Sequence, residues 1–195
     1  MLYIQITRGS APRRHAFPKD ITPSVVLYAL PFVLPEINTK LVTVVTQRDF
    51  RWHRCDIKMT SLLGNVRAYE NAVKDGRYET IFYRDGLVTE ASHSNIFFVK
   101  NNTIYTHPAD HNILNGITRE IVLQLCREHQ LAYKEEAIPF DEINQMDEAF
   151  LTGTSTQIAS IQQIDDHKFY SDNQIPKTTL LLQQIFLKLK QGYVS

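Results

Sequence analysis

The sequence predicts an α+β fold built on a mixed sheet. Runs of β-branched and aromatic residues recur along the chain, as in KLVTVVTQ (40–47). Three stretches, near 60–76, 116–130 and 176–191, carry apolar residues at helical spacing instead. The two patterns do not alternate strictly, since residues 78–106 hold strand signals with no helix between them. That order favours α+β, or a mixed sheet, over a doubly wound α/β sheet.

Residues 1–33 read as two strands, YIQIT and SVVLYAL, joined by the loop TRGSAPRRHAFPKD. Two strands make no independent core. A linker follows, bracketed by Pro31 and Pro35, so the predicted boundary separates 1–33 from 34–195. KLVTVVTQ is β-branched throughout and predicts a strand buried on both faces. The first helix has apolar positions at 62, 63, 66, 69, 72 and 73, with Thr60 or Ser61 as its cap and Gly76 as its stop. Four short strands are expected in 78–106, with hairpin turns at Asp85-Gly86 and Asn101-Asn102. The second helix, 116–130, is expected to turn Ile117, Ile121 and Leu125 inward. A strand and a short helix follow in AYKEEAIPFDEINQM; EAFLTGTSTQIASIQQI reads as strand, polar turn, strand. Pro176 suits the first turn of a last helix.

Composition narrows the function. Apolar residues make up 43% of the 195, enough for a packed core, and 21 acidic side chains balance 21 basic ones. A chain without net charge lacks the electrostatic footprint of a nucleic-acid or anionic-membrane binder. No apolar run has membrane-spanning length. Cys55 and Cys126 are far apart, without metal-type spacing, and read as reduced thiols of a cytoplasmic protein. His107 and His111 flank a Pro108 that breaks any continuous helix face, and no third ligand is near, so no metal site is expected.

Several residues carry chemistry. Lys58, among apolar neighbours in CDIKMTSLL, is a candidate amine nucleophile for carbonyls; the plainer alternative is a snorkelling side chain. Glu90, in LVTEASHSN, is a carboxylate able to hold a proton on a ring nitrogen, or else an exposed strand glutamate. Gly116 and Thr118 open a helix whose free N–H groups suit an anion, although capping alone explains many such pairs. TGTST (152–156) offers hydroxyls and close backbone approach, or a simple polar turn. PRRH (12–15) is a loop fit to grip a carboxylate, or a solvated basic loop. Together these are the parts needed to hold a phosphorylated aldehyde cofactor beside an amino acid.

The stretches QITRGSAPRRHAFP, RWHRCDIKMTSLLGNV, VTEASHSNIFFVKNNTIYTHP, ILNGITRE and MDEAFLTGTSTQI resemble, in order, the fold-type IV pyridoxal-phosphate enzymes, and within them the D-amino-acid aminotransferases. The resemblance implies the C-terminal domain of that fold, a mixed, barrel-like sheet with helices, preceded in 1–33 by the last strands of an α/β N-terminal domain. It implies pyridoxal 5′-phosphate as cofactor, a D-amino acid and a 2-oxo acid as substrates, and a homodimer. Lys58 is then the Schiff-base lysine and Glu90 the partner of the pyridine nitrogen. Leu114 packs on the ring. Gly116, Ile117 and Thr118 bind the phosphate with Thr154 and Ser155, while Arg13 and His15 trap the substrate carboxylate. Family members have a full first domain that supplies an arginine to the phosphate cup and a tyrosine near the substrate; most of it is missing before Met1. Branched-chain aminotransferase or aminodeoxychorismate lyase chemistry, and a non-catalytic remnant, are the alternatives.

Overall fold

The structure, a computed structural model, describes residues 1–37, 41–170 and 176–192. The chain divides into two compact units, Met1–Leu34 and Pro35–Ser195. The first is a hairpin of β1 (Leu2–Thr7) and β2 (Ser24–Ala29), paired antiparallel from Leu2↔Ala29 to Thr7↔Ser24. Tyr3 and Tyr28 stack across it with ring centroids 4.8 Å apart. The loop between the strands carries Arg8 over the ring of Phe17, 3.7 Å from its centroid.

Among the described residues, the second unit is a nine-stranded mixed sheet with three helices. β3 (Leu41–Arg48) begins just after Lys40, which lies outside the described residues. It is followed by α1 (Leu63–Lys74), β4 (Glu79–Arg84), β5 (Leu87–Ala91), β6 (Asn95–Lys100) and β7 (Thr103–Thr106). Then come α2 (Ile117–Glu128), β8 (Tyr133–Glu135), a 3₁₀ turn (Phe140–Gln145), β9 (Glu148–Gly153), β10 (Gln157–Ile164), β11 (His167–Lys168) and α3 (Lys177–Gly192). The sheet order is β5-β4-β3-β10-β9-β6-β7-β8, with β11 beside β10. β3 pairs parallel with both β10 and β4, as β7 does with β8, and the other pairs are antiparallel.

Local chemistry explains the connections. Asp85-Gly86 and Asn101-Asn102 take positive φ at both positions, as tight two-residue hairpins require. α1 ends in a Schellman motif: Gly76 has φ +68°, its N–H donates to Val73 O (3.0 Å), and Arg77 N–H donates to Ala72 O (2.8 Å). Neither Thr60 nor Ser61 caps the start; Leu62 holds the N-cap position without a side-chain hydrogen bond. Of the apolar row expected for α1, Ala72 alone is buried. Ala68 and Ala72 pack on the sheet, while Leu62, Leu63, Val66, Tyr69 and Val73 are exposed. Small residues face inward because this helix lies close to β4, where Thr80 Oγ1 donates to Ala68 O at 2.7 Å.

Alternation along the strands produces two cores. Ile96 and Phe98 of β6 face one cluster with Val44, Ile81, Leu151 and Ile161; Phe97 and Val99 face the other, closed by α2 and α3. In that second core Phe97 and Phe150 are fully buried and stack 4.9 Å apart and nearly coplanar. Phe97→Ala removes one ring of this pair and is expected to cost about 3–5 kcal/mol, read from the urea midpoint of unfolding.

Candidate active site

One cavity of about 1060 Å³ opens among four segments of the second unit: 50–67, 90–95, 114–118 and 152–154. Lys58, Glu90, Leu114, Gly116, Ile117, Thr118 and Thr154 all line it. These residues are scattered over nearly a hundred positions of sequence, and the sheet order brings them together. β5 and β6 deliver the 90–95 turn, and β9, the neighbour of β6, delivers Thr152 and Gly153.

Lys58 does not end a strand. β3 stops at Arg48, and the lysine sits in an irregular segment leading into α1. It is an exposed residue on the cavity wall, not one held dry among its apolar neighbours. Glu90 is the buried group. Its Oε1 accepts from Arg51 Nη1 at 2.7 Å; its Oε2 accepts from the backbone N–H of Leu114 at 2.9 Å and from Asn95 Nδ2 at 3.4 Å. Burial pushes its carboxyl up to about 7, against the pull of Arg51 and of the Leu114 N–H. Arg51 is gripped in turn by Asp49, through Nε to Oδ1 (3.0 Å) and Nη2 to Oδ2 (2.9 Å), and lies over Phe82. Burial opposes the charge on this guanidinium, yet Asp49 and Glu90 raise its pKa above the ordinary value. Arg84 adds a second cation, 3.0 Å from Asp49.

The start of α2 is fixed from behind. Arg119 is fully buried and donates to Glu135 (2.7 Å), His107 O (2.8 Å) and Asn115 Oδ1 (2.8 Å). Gly116 is the N-cap and makes no side-chain cap. A Cβ there would stand 2.3 Å from Asn95 Oδ1, so only glycine lets the helix approach β6 this closely. The first-turn N–H groups therefore lack an intrahelical partner at the cavity edge. Thr118 is buried there, but Ile117 is 74% exposed, contrary to the inward placement that periodicity suggested. The first turn of α2 faces the cavity and not the core.

In the hydroxyl turn, Thr152 lines the cavity, and its Oγ1 is buried without a hydrogen-bond partner. Thr154 lines the cavity as well. Ser155 is exposed and is not part of its wall. Leu114 contributes its backbone N–H to Glu90 in addition to its side chain. Arg13 and His15 belong to the Met1–Leu34 unit and stand exposed on its loop. Sequence reasoning missed Asp49, Arg51 and Asn95, and within TGTST it singled out Thr154 and Ser155 rather than Thr152. The polar residues flanking Glu90 in EASHSN were the one visible hint. Among the described residues no group of three or more His, Cys, Asp or Glu side chains is placed to hold a metal.

A buried acid, an amine, a helix start and an orphaned hydroxyl surround one cavity, a set of groups whose chemistry suits a phosphorylated, nitrogen-containing ring. The amino-transferase class IV family profile matches residues 1–164, and the chain belongs to this family, whose members depend on pyridoxal 5′-phosphate. D-alanine aminotransferase of Bacillus licheniformis is 46% identical over 165 residues, covering 84% of this chain and 58% of that protein. The Staphylococcus epidermidis D-alanine aminotransferase is 39% identical over 194 residues, covering 98% and 68%. The chain thus spans about three fifths to two thirds of the length of these relatives. Among solved structures, the branched-chain aminotransferase of Thermoproteus uzoniensis with norvaline superposes with TM-score 0.84 at 27% identity, covering 98% of this chain and 65% of that one. The PLP-form of the Thermobaculum terrenum branched-chain aminotransferase gives TM-score 0.81 at 26% identity, covering 98% and 64%.

The residues present fit that cofactor: the first turn of α2 and Thr152 offer unused donors, and Glu90 offers an acid inside the same cavity. The raised carboxyl has a consequence for the cofactor-free protein. The folded state retains the Glu90 proton to higher pH than the unfolded chain does. Its contribution is full below about pH 4.5 and is lost as pH rises through about 7. Glu90→Gln is expected to remove a pH dependence of up to about 3 kcal/mol across that window, checked by urea unfolding at pH 4.5 and pH 8.

Proposed function

We propose that this chain acts in pyridoxal-phosphate-dependent transamination between a D-amino acid and a 2-oxo acid. The observation that carries the reading is the single cavity lined by Lys58, Glu90, the start of α2 and the hydroxyl turn. The similarity to D-alanine aminotransferases supports the choice of substrate class. When bound, the cofactor supplies an aldehyde carbon for an amine and a protonated ring that withdraws electrons from the substrate Cα. The chain's residues do the rest. Lys58 Nζ holds the cofactor and carries a proton on and off Cα. Glu90, tuned toward neutrality and steadied by Arg51, keeps a proton at the ring nitrogen. The amides of Ile117 and Thr118, with the hydroxyls of Thr152 and Thr154, bind the phosphate. Arg13 and His15, on the loop of the Met1–Leu34 unit, are that unit's candidates for gripping a carboxylate.

Incubation with pyridoxal phosphate and reduction with borohydride is expected to add one cofactor mass to the wild-type chain and none to Lys58→Ala. Transamination by that variant falls on the order of a thousandfold or more. An adduct of equal yield on Lys58→Ala means the amine is elsewhere. The fold likeness to branched-chain aminotransferases favours L-amino acids as the second reading. Turnover of D-alanine but not L-valine decides for the first.

We also infer a homodimer and a cytoplasmic setting. The exposed apolar row of α1, Leu62, Leu63, Val66, Tyr69 and Val73, is a surface that a second copy would cover. Sedimentation is expected to show a dimer that Val66→Glu dissociates; a monomer at high concentration argues against this surface. Both cysteines are free, as in a reducing compartment. Among the described residues no helix is long and apolar enough to cross a membrane.

A further inference from the structure

The turn between β5 and β6 holds a carboxylate–imidazole pair that the roles above leave unused. Glu79, at the start of β4, is completely buried. Its carboxylate accepts from the backbone N–H of His93, from Ser92 Oγ (3.2 Å) and from Ser94 Oγ (2.9 Å), and Oε2 lies 3.3 Å from His93 Nδ1. His93 Nδ1 is also 3.1 Å from Ser94 Oγ. The ring is held on its other sides by Tyr69 of α1, at 4.8 Å between centroids, and by Tyr78, edge-on at 6.2 Å. It is therefore an oriented imidazole, and it lines the same cavity as Lys58.

Its place in the cavity is informative. The 92–95 turn touches both elements assigned to the phosphate. Asn95 abuts Gly116 at the start of α2. Ser94 Oγ is 3.3 Å from Thr156 Oγ1 and lies 3.5 Å from where a Cβ on Gly153 would be, so it abuts the hydroxyl turn. His93 directly precedes these two contacts and lines the cavity between the segments they join.

We propose that His93, oriented by Glu79, is a third donor to the cofactor's phosphate, beside the start of α2 and the hydroxyl turn. This rests on the pyridoxal phosphate reading above. With Nδ1 committed to Glu79 and Ser94, Nε2 is the edge that remains for a ligand. An Nε2–H at that edge donates to a phosphate oxygen, while the buried Glu79 carboxyl group behind Nδ1 fixes the ring. Glu79 is the positioning residue and His93 the binding residue. Neither motif spacing nor helix periodicity points to this pair, since Glu79 opens a strand and His93 lies in a turn fourteen residues further on.

The full chain is titrated with pyridoxal 5′-phosphate and, separately, with pyridoxal, following the visible band of the lysine-bound form. His93→Ala is expected to weaken the phosphate form on the order of tenfold or more and leave pyridoxal unchanged. Glu79→Gln, which keeps the side chain's shape and removes its charge, is expected to move the ratio the same way by less. Equal losses for both aldehydes, or no loss for either, overturn the assignment of His93. A ratio untouched by Glu79→Gln overturns the orienting role of Glu79. If neither aldehyde gives a band with wild type, the reading of Lys58 fails. Inorganic phosphate, followed by the fluorescence of the single tryptophan, Trp52, which lines the cavity, then tests the donor by itself. Phosphate quenching that persists in His93→Ala, or is absent from wild type, overturns it; quenching lost only in the variant supports it.

Discussion

Burying the Glu90 carboxyl is the constraint from which the geometry of the cavity follows. A carboxylate away from water is costly unless donors surround it. Here the donors come from three directions: Arg51 from the irregular segment after β3, Asn95 from the start of β6, and the Leu114 N–H from the approach to α2. Each bond draws a segment toward the same point. Asn95 also donates to Leu114 O at 2.8 Å, so a single amide ties the approach to α2 to the Glu90 carboxylate. Arg51 is held by Asp49, and Lys58 follows Arg51 in the same irregular stretch. The acid and the amine are thus parts of one constrained loop system. Neutralising Glu90 alone leaves Arg51 with Asp49 as its remaining anion among these contacts, which is why the acid cannot be regarded as an isolated proton carrier.

The same device recurs twice more. Glu79 gathers Ser92, His93 and Ser94 and so shapes the turn that separates Glu90 from Asn95. Glu148, at the start of β9, accepts from the N–H groups of Thr178 (2.9 Å) and Thr179 (2.8 Å) and from Thr179 Oγ1 (2.7 Å). It places a negative group at the positive end of α3 and fastens that helix to the sheet. All three glutamates are inside, and each is satisfied by residues distant in sequence or in a neighbouring turn. A sheet curled by bulges at Ile81/Tyr83 and Ile161/Gln163 supplies the scaffold, but buried carboxylates set where its loops stop.

Which features were legible follows from how local their causes are. Asp85-Gly86 and Asn101-Asn102 were readable because the need for positive φ selects those residues without help from the rest of the chain. The strand content of β3 to β7 and the stop of α1 at Gly76 were readable for the same reason. The buried face of α1 was not, since a helix packed close to a sheet buries alanines, and the larger apolar residues then mark a surface. Ile117 misled in the same way: its spacing fits the core stripe of α2, but the helix start is turned to the cavity. Lys58, Glu90, the start of α2 and the hydroxyl turn were legible as types and spacings, and their convergence depends on the order β10-β9-β6. The Arg51–Glu90 pair joins residues 39 positions apart, and no periodicity carries that information.

Gln157 shows how the hydroxyl turn is kept in shape. It follows Thr156 with φ +56°, an unusual conformation for a residue with a side chain. Such a residue costs on the order of 1 kcal/mol and persists only where its surroundings over-determine it. They do so here: Gln157 Nε2 donates to Pro35 O at 2.8 Å, and Lys190 Nζ, near the end of α3, donates to Gln157 Oε1 at 2.6 Å. Gln183 of α3 reinforces the tie by donating to Ile37 O and Ile158 O. The segment that enters this unit at Pro35 and the last helix therefore meet at the turn that carries Thr152 and Thr154. The position of those hydroxyls is set by contacts made at opposite ends of the unit's sequence, so the hydroxyl turn depends on the closure of the whole unit and not on its own five residues.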